Sequence, residues 1–297
     1  MKRYLMTSCL AVLLGSFSYG QQLINFTQYM YDLSTLNPGH MGIYRSFSAS
    51  AFSRWQWSGI EGAPNTQTLV LHSPVDIDNV SLGFQFVRDE IGVTTNSYAL
   101  PAAAYKLKVG FGYLSMGLQG GIQVFSNRLQ DAFVLPSSQT EFSENFSRVL
   151  PVVGYGFYYY RRNFYVGFSS PFALRNTIEV DGVSQFTQRQ HYYFTAGVEL
   201  PLNDDIKIKP NMLIRAVEGT PVSADYNVNF LYKELFWVGF SYRPESVSIL
   251  FDIRVHQKFR FGYAYDYVID PSLNNITSST HEIMINYNIA VIIEKFD

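Results

Sequence analysis

The stretch Phe259-Arg260-Phe261-Gly262-Tyr263-Ala264-Tyr265-Asp266-Tyr267 sets an aromatic ring at every second position, with a charged or small residue between neighbours. A pleated strand sends successive side chains to opposite faces, so this run makes one apolar and one polar face. Helical spacing does not fit it. Other runs repeat the pattern. Val247, Ile249, Phe251, Ile253 and Val255 alternate with Ser248, Asp252, Arg254 and His256. Ala224, Tyr226, Val228, Phe230 and Tyr232 alternate with Ser223, Asp225, Asn227 and Asn229, broken only at Leu231. Ile283, Ile285, Tyr287, Ile289 and Val291 alternate with Glu282, Asn286 and Asn288.

From residue 46 onward the period is two. About fourteen strands are expected, centred near Ala49, Leu69, Phe84, Ala102, Leu118, Val153, Val166, Phe194, Ile208, Val228, Val238, Phe251, Tyr263 and Ile285. Most span about 8 to 12 residues, where a tilted membrane strand needs about 9 to 11.

Composition agrees with a wall that has lipid on one side and water on the other. The 297 residues are 47% hydrophobic, 16% aromatic and only 15% charged. A soluble domain carries about 25% charged residues. Mean hydropathy of -0.01 shows the apolar residues evenly diluted. Beyond the N-terminus no run reaches the roughly 20 apolar residues of a membrane helix, so a membrane location requires a closed barrel. A net charge of -2 and scattered Lys and Arg leave no footprint for nucleic acid.

The connections decide between a barrel and a soluble β-sandwich. Alternate ones are very short, around Lys108-Val109-Gly110, Arg161-Arg162-Asn163, Asn203-Asp204, Lys233-Glu234 and Gln257-Lys258. Those between are often long, notably 126–148, 170–188 and 270–280. Short turns on one rim and long loops on the other mark an outer-membrane barrel, with the short turns periplasmic. The expected fold is therefore all-β: a transmembrane up-and-down antiparallel β-barrel of about fourteen strands. An even strand count puts both termini in the periplasm. Rings gathered at 158–160, 192–194 and 263–267 suit the headgroup level, although aromatics fill strands anywhere.

Ahead of the barrel, residues 1–20 read as a signal peptide: Lys2 and Arg3, an apolar core around Leu10 to Leu14, then small residues ending at Gly20. The only cysteine, Cys9, lies inside it, so the mature chain has no disulfide framework. Residues 21–45 form a periplasmic lead-in, with an Asn37-Pro38-Gly39 turn, and residues 46–297 form the barrel. The lead-in either enters the lumen as a plug, docks a periplasmic partner, or is a polar tether.

Catalytic spacing is absent. His281-Glu282 lacks the second histidine of a zinc-protease helix, and Asp76-Ile77-Asp78-Asn79 lacks the glycine and closing glutamate of a calcium loop. Gly112-Tyr113-Leu114-Ser115-Met116-Gly117 misplaces the serine of a nucleophile elbow. The expectation is no enzyme, no metal and no cofactor. The polar faces of the late strands instead supply candidate lumen charges of both signs: Asp225, Asp252, Arg254, Arg260, Asp266 and Glu282. They either line a pore or pair across a narrow lumen; the balanced signs favour pairing.

Gln28-Tyr29-Met30, then Asn37-Pro38, then Arg54-Trp55-Gln56-Trp57-Ser58-Gly59-Ile60-Glu61-Gly62-Ala63-Pro64-Asn65-Thr66-Gln67-Thr68 resemble the PorP/SprF family, outer-membrane barrels of the type IX secretion system. The likeness continues through Leu82-Gly83-Phe84 and Asp89-Glu90-Ile91-Gly92. It departs at Gly39-His40-Met41-Gly42, where the family usually reads Ala-Tyr-Ala-Gly, and at the non-aromatic end Phe296-Asp297.

The resemblance implies an accessory barrel that supports export or surface retention of large secreted proteins, often adhesins, sometimes in gliding motility. Its partners would be ring or translocon subunits of the system, or one large adhesin, beside outer-membrane lipid. A diffusion porin or a hydrophobic-solute transporter is the competing reading. Candidate partner or loop contacts are Tyr29, Met30 and Asn37 of the lead-in, and Trp55, Trp57 and Glu61 at the first long-rim hairpin. The two tryptophans, two residues apart, are expected to share one face at the end of the first strand, either as a lipid anchor or as an inward pair.

Overall fold

The computed structural model describes residues 26–43, 46–128, 145–180, 183–271 and 279–290. The chain alternates as the period of two requires. Its wall begins with β1 (Ser46–Trp55), β2 (Asn65–Pro74), β3 (Val80–Ile91), β4 (Thr94–Val109) and β5 (Gly112–Asn127). It continues with β6 (Phe146–Arg161) and β7 (Phe164–Ser170), and, after a separate hairpin of β8 (Asn176–Val180) and β9 (Val183–Gln188), with β10 (His191–Val198). After β10 come a two-residue extension, β11 (Leu200–Pro201), and β12 (Ile206–Val217). The wall ends with β13 (Ser223–Tyr232), β14 (Phe236–Arg243), β15 (Ser246–His256), β16 (Phe259–Val268) and β17 (Ser279–Ala290).

Each wall strand pairs antiparallel with its neighbours in sequence, β1 closes on β17, and β10 bridges β7 and β12. With β11 counted as the continuation of β10, the result is a closed barrel of 14 strands. Closure leaves the wall without the unpaired row of backbone groups that lipid forbids. Tyr226, Phe230 and Tyr232 face outward and exposed, while Asp225, Asn227, Asn229 and Leu231 between them are buried inside.

One expectation needs correction. Strands β4, β5 and β6 run 16 residues each, well beyond the anticipated length, and β6 pairs with β7 only over 155–161. The connection at 170–188 is long, as expected, and it carries the β8–β9 hairpin, in which the β-branched Thr177, Ile178, Val180 and Val183 take part. The connections expected at 126–148 and 270–280 lie largely outside the described residues.

The core sits inside the barrel. Residues 26–42 enter it as three short 3-10 turns, Tyr29–Tyr31, Leu33–Thr35 and Pro38–Gly42, and all but Tyr31 are buried. Phe26, Tyr29, Met30, Leu33 and Leu36 pack against inward side chains from opposite sides of the wall, including Phe52, Tyr158, Leu213, Leu250 and Met284.

Candidate functional site

The candidate site is the filled lumen. It is built where the inner segment meets the charged faces of β1, β13, β14, β16 and β17. Arg54, near the end of β1, points inward because it shares parity with Phe52. Its Nη1 donates to Glu282 Oε2 at 2.9 Å and its Nη2 to Asp266 Oδ2 at 2.7 Å. One guanidinium thus serves two carboxylates, and the inner segment supplies the remaining donors. Thr27 N and Gln28 N each donate to Glu282 at 2.8 Å, and Thr27 Oγ1 donates to Asp266 at 2.7 Å. Arg54 Nη1 also donates to Thr27 Oγ1 at 2.9 Å.

Further round the wall the signs reverse. Asp225 accepts from Arg215 at 2.6 Å and stands 3.1 Å from Arg243, which is 2% exposed. Two carboxylates with one arginine on one side, and two arginines with one carboxylate on the other, leave the interior neutral over both groups. Buried charges are tolerated when paired and hydrogen-bonded in this way.

The inner segment is held along its length. Tyr29 Oη accepts from Asn227 Nδ2 at 2.6 Å, beside Asn211. Burial pushes the phenol pKa well above its ordinary value, with the Asp225 charge adding to it, so the group stays protonated. Asp32 accepts from Ser50 Oγ at 2.5 Å and from Ser34 N at 3.0 Å. Burial opposes its ionisation, but the His40 hydrogen bond, the charges of His72 and His40, and the Ser50 hydroxyl hold its carboxyl below the usual range.

Asn37 accepts from Gly39 N at 2.8 Å, opening the third turn, and its Nδ2 donates to the Phe157 carbonyl of β6 at 3.1 Å. This contact is possible only because β6 and β7 present Gly156 and Gly167 there. A side chain on Gly156 would collide with Asn37, and one on Gly117 would collide with Pro38. Gly83 and Gly262 leave the same kind of room for Met41 and Gln28.

Of the charges named from sequence, Asp225, Asp252, Asp266 and Glu282 are buried inside, while Arg254 and Arg260 are half-buried toward the short-turn rim. Arg260 pairs with Asp252 at 3.3 Å. Tyr29, Met30 and Asn37 are in the lumen, not on a surface.

The two tryptophans part company, which corrects the shared-face expectation. Strand β1 ends at Trp55, which faces outward at 39% exposure. Trp57 lies in the following turn with φ 50°, its backbone N–H bonded to Thr280 Oγ1, so strand parity no longer applies to it. Glu61 is exposed at the tip of that loop. His281 and Glu282 point to opposite sides of β17: His281 meets Tyr263 outside and Glu282 is wholly buried.

Sequence reasoning passed over Arg54, Arg215, Arg243 and Asp32 as site residues. A signal existed for Arg54, a charge on the same parity as Phe52, next to a tryptophan of opposite parity.

Comparison with known proteins is consistent with this architecture. The family described as type IX secretion system membrane protein PorP/SprF matches residues 18–287. No curated protein matches the chain in sequence. Among solved structures, the CymD monoaromatic hydrocarbon channel is similar at TM-score 0.53 and 12% identity, covering 93% of this chain and 96% of that one. A Pseudomonas aeruginosa FadL homologue is similar at TM-score 0.52 and 11% identity, covering 86% and 93%. The Ralstonia pickettii toluene transporter TbuX gives TM-score 0.51 and 8% identity, covering 87% and 93%. At these identities the likeness is one of fold: an outer-membrane barrel.

Proposed function

Because the chain belongs to the PorP/SprF family of type IX secretion system membrane proteins, we propose that it is an accessory barrel of that system. In this reading it supports export or surface retention of large secreted proteins or adhesins, and it is not itself their conduit. The observation that carries the reading is the lumen: the chain's own residues 26–42 occupy it and are tied to its wall by buried charges. A folded or extended cargo chain has no path through such an interior. A partner would meet the barrel at its rims instead, with the exposed Glu61 loop on one and the short turns on the other. The short-turn rim is taken as periplasmic, where ring or translocon subunits would reach it.

The test is deletion of the gene in its host, with surface display of secreted proteins as the readout, together with affinity capture of the tagged barrel from outer membranes. The expected result is loss of display of one or more large surface proteins, and recovery of such a protein or of a ring subunit. Normal display with neither class captured overturns the proposal. The diffusion-porin reading has its own readout: a large, stable open-channel conductance in planar bilayers would restore it.

A further inference from the structure

Between the inner segment and the short-turn rim lies a polar cavity of about 320 Å³, opening beside the β15–β16 turn. Its wall is a ladder across neighbouring strands. Arg254 stands directly opposite Arg260 and Arg260 opposite Asn286; Asn286 Nδ2 donates to Ser48 Oγ at 3.0 Å, and Ser48 stands opposite His72. All five line the cavity. Like charges directly opposite each other on a sheet are destabilising, yet here two arginines are set so. Among the described residues only Arg260 of the two makes an ion pair, with Asp252 at 3.3 Å, while Asp252 and Glu234 lie within electrostatic range of both arginines. Lys258, in the turn at the mouth, adds a third cation, and neither it nor Arg254 has an ion pair among the described residues. Tyr31 lines the floor, and its buried hydroxyl has no hydrogen-bond partner among the described residues.

We infer that this cavity binds a small carboxylate ligand, with Arg254 and Lys258 as its charge partners. Guanidinium forks match the two oxygens of a carboxylate, and an anion between Arg254 and Arg260 relieves their repulsion. Asp32 on the floor disfavours a dianion, which selects a carboxylate over phosphate. The volume is at the lower end of ligand pockets, enough for a small organic acid or the last residues of a peptide. Both sources offer the same group. The inference goes beyond the secretion role and does not depend on it.

The experiment uses the full mature chain, refolded or purified in detergent and checked by heat-modifiable gel migration. Binding is read by calorimetry and by Trp237 fluorescence, since Trp237 stacks edge-on with Tyr31 at 5.7 Å and has Arg260 over its ring at 5.5 Å. The probes are butyrate, acetyl-trialanine as free acid, the same peptide as C-terminal amide, and inorganic phosphate. Saturable binding of butyrate or of the free-acid peptide is expected, with at least a tenfold loss in Arg254→Gln/Lys258→Gln. The amide should fail. Binding of the peptide but not butyrate assigns a chain terminus, and the reverse assigns a small acid. Should the double variant not fold, Lys258→Gln alone, in an exposed turn, is read for a several-fold loss. No saturable signal from either acid, tighter binding of phosphate, equal binding of the amide, or unchanged affinity in the folded variant overturns the inference.

Discussion

Replacing Arg54 by methionine tests whether the inner segment is fastened by the charges around it. The change keeps most of the side-chain volume but leaves Asp266 and Glu282, which are 2% and 0% exposed, without their shared cation. Breaking a buried ion pair by removing one partner costs about 3–5 kcal/mol, because the remaining charge stays desolvated. Here two carboxylates are stranded, but Thr27 N, Gln28 N and Thr27 Oγ1 still donate to them, which keeps the cost inside that range instead of doubling it. At a factor of ten per 1.4 kcal/mol, the population with the segment detached rises by roughly 100- to 4,000-fold. Limited proteolysis at Phe26, Tyr29 and Tyr31 by a chymotrypsin-type protease reads that population, provided cleavage is slow relative to reclosing. The double variant Arg54→Met/Glu282→Gln should recover part of the loss, because the stranded charge is then removed. Protease resistance equal to wild type in Arg54→Met would refute the reasoning and leave the triad as a bystander.

Gly117→Val, at a position where any side chain meets Pro38, is expected to cost about 1–3 kcal/mol by overpacking and to increase cleavage of the same segment, while Gly120→Ala, where a side chain meets only the Val152 carbonyl at 3.9 Å, leaves cleavage unchanged. Asp32, whose folded pKa lies below its unfolded one, contributes stability that is complete above the ordinary carboxylate range and is lost as pH falls through the folded value. Asp32→Asn should therefore flatten the acid limb of a stability–pH curve measured from pH 7 downward, and an unaltered limb would count against it. Deleting residues 26–43 should open the lumen and raise single-channel conductance well above the wild-type trace. Glu61→Ala, at an exposed loop tip, is expected to change stability by less than about 0.5 kcal/mol but to reduce capture of a surface partner.

The wall was legible because lipid and closure leave few choices: a period of two, turns sorted by rim, and aromatic rings outward give each strand its place and its faces. What the alternation could not give was the meaning of its exceptions. Leu250 and Met284 sit on the inward parity among polar residues, and both pack against the inner segment. Gly117, Gly156, Gly167 and Gly262 interrupt strand interiors, which normally weakens them, and each leaves room for a residue of 26–42 or its neighbours. Read together, inward aliphatics and inward glycines mark a lumen with an occupant. Which occupant, however, depends on contacts far apart in sequence, such as Thr27 with Glu282 across 255 residues, and no local pattern encodes those. The pairing of Arg215 and Arg243 with Asp225 was hidden for the same reason, since their partners are set by barrel register and not by spacing. The turn after β1 shows a third kind of gap. Trp57 leaves the strand through a positive φ that the residue type does not announce.

The inner segment's own backbone hydrogen bonds stay within its short turns, such as Tyr31 N to Gln28 O and His40 N to Asn37 O, and this bears on whether the barrel could serve as a gated conduit. They satisfy part of its backbone, and the wall adds further bonds. Glu282 accepts from two successive backbone N–H groups, Gln85 donates to the Thr35 carbonyl, and Ser169 donates to the Leu36 carbonyl. With Thr27 on Asp266, Ser50 on Asp32, Asn227 on Tyr29 and Asn37 on Phe157, release breaks these bonds together. At about 1 kcal/mol net for each bond, somewhat more where a charge takes part, the polar contacts alone hold the segment by on the order of 10 kcal/mol. Detachment would then be as rare as about one molecule in ten million, before the apolar packing of Phe26, Met30 and Leu33 is counted. A gate that opens in a secretion cycle needs a populated minor state or a ligand with several kcal/mol of preference for it. The wall makes the closed state far too favourable for spontaneous opening. Traffic through this lumen would therefore require a partner that replaces the segment bond for bond, including two N–H donors for Glu282. A partner docking at the rims requires nothing of the interior at all.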